Sequence, residues 1–71
     1  MNVTYHGTIP GLYNAWDEEV FSTIQAMNLP EGRVWRTNAY LTKGDGIGRH
    51  LGDFATCEKA VDAVKTWKAE Q

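Results

Sequence analysis

Arg36, Asn38, Tyr40 and His50 are the residues whose types and spacing best fit recognition chemistry. The first three alternate along one segment, so in an extended conformation their side chains leave the same face, and His50 lies in the segment expected to return beside it. A guanidinium, an amide, a phenol and an imidazole on one face offer hydrogen bonds to phosphate or carboxylate. Lys43 and Arg49, on either side of the intervening turn, add two cations. A second group is acidic: Asp17, Glu18, Glu19 and Glu31 are suited to compete with phosphate for the Arg and Lys of a partner. Read only as scaffold, the first group is a solvated sheet face, and Asp17, Glu18 and Glu19 compensate a helix dipole and aid solubility.

The remaining chemistry is sparse. His6 and His50 have no Cys or carboxylate at ligand spacing, so no metal site is expected. Cys57 follows a capping Thr but falls on an apolar stripe, which predicts a buried structural thiol. Gly44-Asp45-Gly46-Ile47-Gly48 lacks the Lys-Ser/Thr of a phosphate loop and reads as a hairpin tip. Trp16, Trp35 and Trp67 occupy positions that the period assigns to packing. No nucleophile has an adjacent base and no carboxylate pair is set by spacing, so the chain is expected not to be an enzyme and to carry no cofactor.

These residues must be positioned by a small set of elements. Val3, Tyr5 and Ile9 alternate with polar neighbours and predict a strand over 2–9, ended by Pro10-Gly11. Tyr13, Trp16, Val20, Ile24 and Met27 recur at three and four, which predicts a helix capped by Asn14, with Asp17, Glu18 and Glu19 in its first turns. Pro30 and Gly32 end it. Alternation returns over 33–43, with Trp35, Thr37, Ala39 and Leu41 on one face and Val34, Arg36, Asn38 and Tyr40 on the other. Gly44-Asp45-Gly46 is a hairpin signal, 47–54 the returning strand, and Thr56 the cap of a final helix whose stripe is Cys57, Ala60, Val61, Val64 and Trp67. The expected fold is therefore α+β: one domain over 1–71, in β-α-β-β-α order, with a three-stranded, mainly antiparallel sheet packed with two helices.

A chain of 71 residues holds one core. Its formal net charge of −2 argues against a free-standing nucleic-acid binder. The charge is unevenly spread: 1–32 carries four acids and no Lys or Arg, whereas 33–52 carries four bases and one acid. A lone cysteine forms no intramolecular disulfide and fits a reducing, cytoplasmic setting. No basic n-region or long apolar run is present, so neither a signal peptide nor a membrane span is expected.

Residues 35–67 resemble a known pattern. Trp35, Ala39 and Leu41, a Gly-rich hairpin, and Leu51-Gly52-Asp53-Phe54-Ala55-Thr56-Cys57-Glu58-Lys59-Ala60 look like the LG-x-F-x-T-x-E-x-A strand and helix of ethylene-response-factor DNA-binding domains. The arm-binding domains of phage integrases are similar. The resemblance implies a three-stranded sheet entering the major groove through Arg36, Asn38, Tyr40 and His50. In format, a small acidic chain with strand, hairpin and helix also resembles phage-encoded inhibitors such as anti-CRISPR proteins, which implies occupation of a site on a larger protein or nucleoprotein machine. The expectation is a non-enzymatic protein, monomer or weak dimer, that docks on and inhibits a macromolecular partner; the alternative is a DNA-binding module using the basic hairpin at 33–52.

Overall fold

Val20, Ser22, Ile24 and Ala26 alternate with Phe21, Thr23, Gln25 and Met27, and this segment is a strand. The computed structural model describes residues 1–44 and 48–71. Among them five strands precede one helix: β1 (Asn2–Tyr5), β2 (Leu12–Trp16), β3 (Val20–Leu29), β4 (Gly32–Leu41), β5 (Arg49–Phe54) and α1 (Cys57–Ala69). Each strand pairs antiparallel with the next, in the order β1-β2-β3-β4-β5.

The expected β-α-β-β-α order with a three-stranded sheet and two helices is thereby overturned. The first helix does not exist; its residues form β2, a turn and β3. The cause lies in which residues are buried. The inner face of the sheet is built from Ala15, Ser22, Thr37 and Ala39, all fully buried, and such small or polar residues hide the period of two from a search for large apolar ones. Trp16, Val20, Ile24 and Met27 match helical spacing only because they mix two faces: Val20 and Ile24 point inward, whereas Trp16 and Met27 share parity with the outer residues. The β-branched and aromatic run Val20-Phe21-Ser22-Thr23-Ile24 favours a strand. Asp17, assigned to a helical first turn, instead closes the β2–β3 turn, its Oδ1 accepting the N–H groups of Glu19 at 2.8 Å and Val20 at 2.9 Å. Asp serves turns and helix starts through the same side-chain acceptor, so its presence does not distinguish them.

Further boundaries differ: the strand expected over 33–43 ends at Leu41, and the returning strand expected over 47–54 spans Arg49–Phe54 among the described residues. The first strand ends at Tyr5 rather than at residue 9, and Pro30 and Glu31 form the two-residue connection of the β3–β4 hairpin, closed by the Leu29–Gly32 pair, rather than a helix terminus. The turn expected at Gly44-Asp45-Gly46 lies, in its last two residues, outside the described residues.

The final helix begins as its capping signal predicts: Thr56 Oγ1 accepts the N–H of Lys59 at 3.1 Å. It lays Ala60 and Val64, both fully buried, on the inner face, where Ala15, Ile24 and Ala60 form the core and Tyr13, Trp35, Phe54, Cys57 and Val61 pack around them. Burial of Val20, Ile24 and Val64 contributes roughly 1.5–3 kcal/mol each, and with so few large side chains inside, each is a substantial share of the stability. The buried hydroxyl of Ser22 donates to Ala15 O at 2.7 Å, and that of Thr37 to Trp35 O at 3.2 Å, so both polar groups are satisfied.

Candidate functional site: the open face of the sheet

The helix lies on one side of the sheet, and the other side has no covering element among the described residues. The strand register orders this open face into cross-strand rows. Asn2, Trp16, Phe21 and Tyr40 form one row; Thr4, Asn14, Thr23, Asn38 and His50 the next; Leu12, Gln25, Arg36 and Asp53 the third. Five strands about 4.8 Å apart make the face roughly 19 Å wide, and ten-residue strands make it about 34 Å long at its centre. The outer strands are shorter, so the face falls short of the roughly 800 Å² that each partner contributes to a standard protein–protein interface and matches a smaller, transient one.

The open face carries large aromatic side chains among its polar ones. Small residues are buried under the helix, while Trp16 is 38% and Tyr40 36% exposed. Leu12, Phe21, Met27 and Val34, also on the open face, are half-buried by their neighbours in the sheet. Phe21 and Tyr40 pack with ring centroids 5.5 Å apart, and Trp16 Nε1 donates to Thr4 Oγ1 at 3.4 Å. Trp16 was expected among the packing residues and is instead an exposed member of this face. Trp35 and Trp67 are half-buried.

Arg36, Asn38, Tyr40 and His50 all fall on the open face, in three adjacent rows. Arg36 is already engaged: its Nε and Nη2 donate to the two carboxylate oxygens of Asp53 at 3.1 and 3.2 Å. That hydrogen-bonded pairing holds the Asp53 carboxyl below its ordinary range and raises the guanidinium further. His50 Nδ1 lies 3.1 Å from Asn38 Oδ1, so the ring donates when that nitrogen carries the proton. The other bases of the hairpin are elsewhere. Arg33 lies over the Trp35 ring, 5.2 Å from its centroid, on the helix side; the register sends Arg49 toward that side with Ala39; and Lys43 is exposed in the segment after β4. The basic hairpin is thus not a basic face.

The acidic residues do not form one cluster. Asp17, Glu18 and Glu19 occupy the β2–β3 turn, whereas Glu31 sits in the β3–β4 turn at the far end of a ten-residue strand. Asp17 Oδ2 also accepts Lys68 Nζ at 2.6 Å, and this bond, with the two turn N–H groups, lowers its pKa to about 2. Thr42 ties the same turn to β4, its Oγ1 donating to Glu18 O at 2.6 Å and its N–H to Glu19 O at 2.9 Å. Glu18, Glu19 and Glu31 keep exposed side chains.

Burial raises the pKa of the half-buried Cys57 thiol, which makes it a poorer nucleophile. Among the described residues no three His, Cys, Asp or Glu side chains are grouped to hold a metal ion, and no helix is long and apolar enough to cross a membrane. Sequence reasoning missed Trp16, Phe21, Asn14, Thr23 and Gln25 as members of the face. Their alternation with Ala15, Ser22 and Ile24 was the available signal. Comparison with family models, curated proteins and solved structures returned no match.

Proposed function

We propose that this chain is a non-enzymatic binding protein that docks the open face of its sheet on a larger protein, in a cytoplasmic setting, and inhibits that protein by covering the surface it occupies. The observation that carries this reading is the row Trp16–Phe21–Tyr40, exposed at its Trp16 and Tyr40 ends, beside Asn14, Asn38, His50 and the Arg36–Asp53 pair. Trp, Tyr and Arg are the residue types that dominate binding hot spots, and a flanking row of amides and hydroxyls supplies the directional bonds that orient a partner. The face is nearly neutral, since Asp53 compensates Arg36. A duplex-binding surface needs several unpaired cations on one side, and here Arg33 and Arg49 turn away from Arg36. The charge layout therefore supports a protein partner over DNA.

The test uses immobilised wild-type chain, the double variant Arg36→Ala/Tyr40→Ala, and Lys65→Ala on the exposed side of the helix, each exposed to host lysate with and without nuclease. The expected result is a captured protein that survives nuclease, is retained by the Lys65 variant and is lost from the double variant. Capture that is equal in all three, or that disappears with nuclease, refutes the reading.

A further inference from the structure

The two edges of the sheet are built differently. Edge strand β5 carries Arg49, His50 and Asp53, a register shift opposite Thr37/Asn38, and Gly52 at φ +134°, all devices that discourage pairing with another strand. Edge strand β1 has none of them: it contains no charge, proline or bulge. Val3 and Tyr5, on the helix side but beyond the reach of the helix, are 46% and 53% exposed.

The hydrogen-bond phase of this edge follows from the ladder. The N–H of His6 donates to Leu12 O at 2.9 Å, and antiparallel pairs alternate between bonded and non-bonded, so Asn2, Thr4 and His6 spend their backbone groups on β2. Val3 and Tyr5 consequently turn their N–H and C=O outward, away from the sheet.

We propose that two copies of this chain join through β1, antiparallel about a two-fold axis perpendicular to the sheet at Thr4, to give one continuous ten-stranded sheet. In this register Val3 faces Tyr5 of the second copy, and each such pair exchanges two N–H···O=C bonds through the groups that point outward. The side chains fit the same register: a β-branched residue meets an aromatic one on the helix side, and Thr4 meets Thr4 on the open face, both favourable cross-strand combinations. Charge selects this edge for self-association. Each copy has net charge −2, yet residues 1–16 contain no Asp, Glu, Lys or Arg, so β1 edges meet without repulsion where contacts through the acidic turn would not. The symmetry is that of an isologous dimer, with both helices on one side and the two open faces forming a single surface on the other.

Sedimentation equilibrium tests the proposal. Wild-type chain is expected to approach twice its 8.0 kDa mass as concentration rises. Thr4→Lys sets two ammonium groups side by side across the axis and is expected to raise the dissociation constant at least about tenfold. Val3→Pro removes an outward N–H without touching the bonds to β2, and is expected to do the same. Mixing Thr4→Lys with Thr4→Glu is expected to restore association between unlike copies. A wild-type mass that stays at 8.0 kDa up to about 1 mM chain overturns the proposal, as does association unchanged in both Thr4→Lys and Val3→Pro.

Discussion

Lys68 Nζ stands 2.6 Å from Asp17 Oδ2, joining the last turn of α1 to the β2–β3 turn, 51 residues away in sequence. The contact closes the helix onto the sheet at the end opposite its Thr56 cap. Its strength depends on the Asp17 carboxylate, whose pKa falls from 3.8 to about 2 on folding. The folded state binds fewer protons than the unfolded chain in that interval, so this contribution is full above about pH 4 and is lost as pH falls through about 2. Asp17→Asn is expected to lower the urea midpoint at pH 7, and the gap from wild type is expected to shrink toward pH 2. A gap independent of pH excludes the ion pair as its source.

Ile24 is the largest fully buried side chain, set between Ala15 and Ala60. Ile24→Ala is expected to cost about 2–5 kcal/mol, the lost burial plus the cavity left beside Ala15, Ala60 and the aromatic rings packed on them. Ala60→Leu is expected to destabilise by about 1–3 kcal/mol through overpacking, because Ala60 is fully buried where the helix meets the sheet. Urea unfolding followed by tryptophan fluorescence measures both.

Gly7 and Gly11 separate backbone strain from steric fit. Both have positive φ, +87° and +75°, but a Cβ on Gly7 meets nothing within 4 Å, whereas one on Gly11 lies 2.9 Å from Ala26 Cβ. Gly7→Ala is expected to cost about 1–2 kcal/mol from the left-handed conformation alone. Gly11→Ala is expected to cost more, the excess reporting the collision with β3. Equal losses in thermal or urea melts would remove the steric component.

Asp53→Asn releases Arg36 from its carboxylate partner. If the open face meets protein, duplex DNA is expected to bind neither wild type nor this variant appreciably at physiological salt. If phosphate were the natural ligand, the freed guanidinium would tighten binding and steepen its salt dependence by about one unit of logarithmic slope. Fluorescence anisotropy with labelled duplex over a salt series distinguishes the two.

The legible parts of the fold were those with a local device. Thr56 announces its helix because the hydroxyl acts within one turn, and Trp35, Thr37, Ala39 and Leu41 separate from Arg36, Asn38 and Tyr40 because the two sets alternate without a break along β4. The same alternation put the four recognition candidates on one face. β3 was not legible: Ser22 is buried and Phe21 is outside, so neither hydropathy nor polarity reported the direction of either side chain. Burial of Ser22 depends on a bond to Ala15 O across the ladder, a tertiary partner that no window of residues 20–29 contains. With β3 misread, Trp16 and Phe21 could not be joined to Tyr40, and half of the candidate site went unseen.

The narrow interior has a consequence for how this protein can change. Ala15, Ser22, Ala39 and Ala60 are fully buried, so larger side chains there are expected to overpack the interior. On the far side of the same strands, residues alternate with them one for one yet touch neither the helix nor the core. Substitutions on that side therefore cost only the surface contacts they break, such as the Phe21–Tyr40 ring pair or the Arg36–Asp53 ion pair, and leave the interior packing as it is.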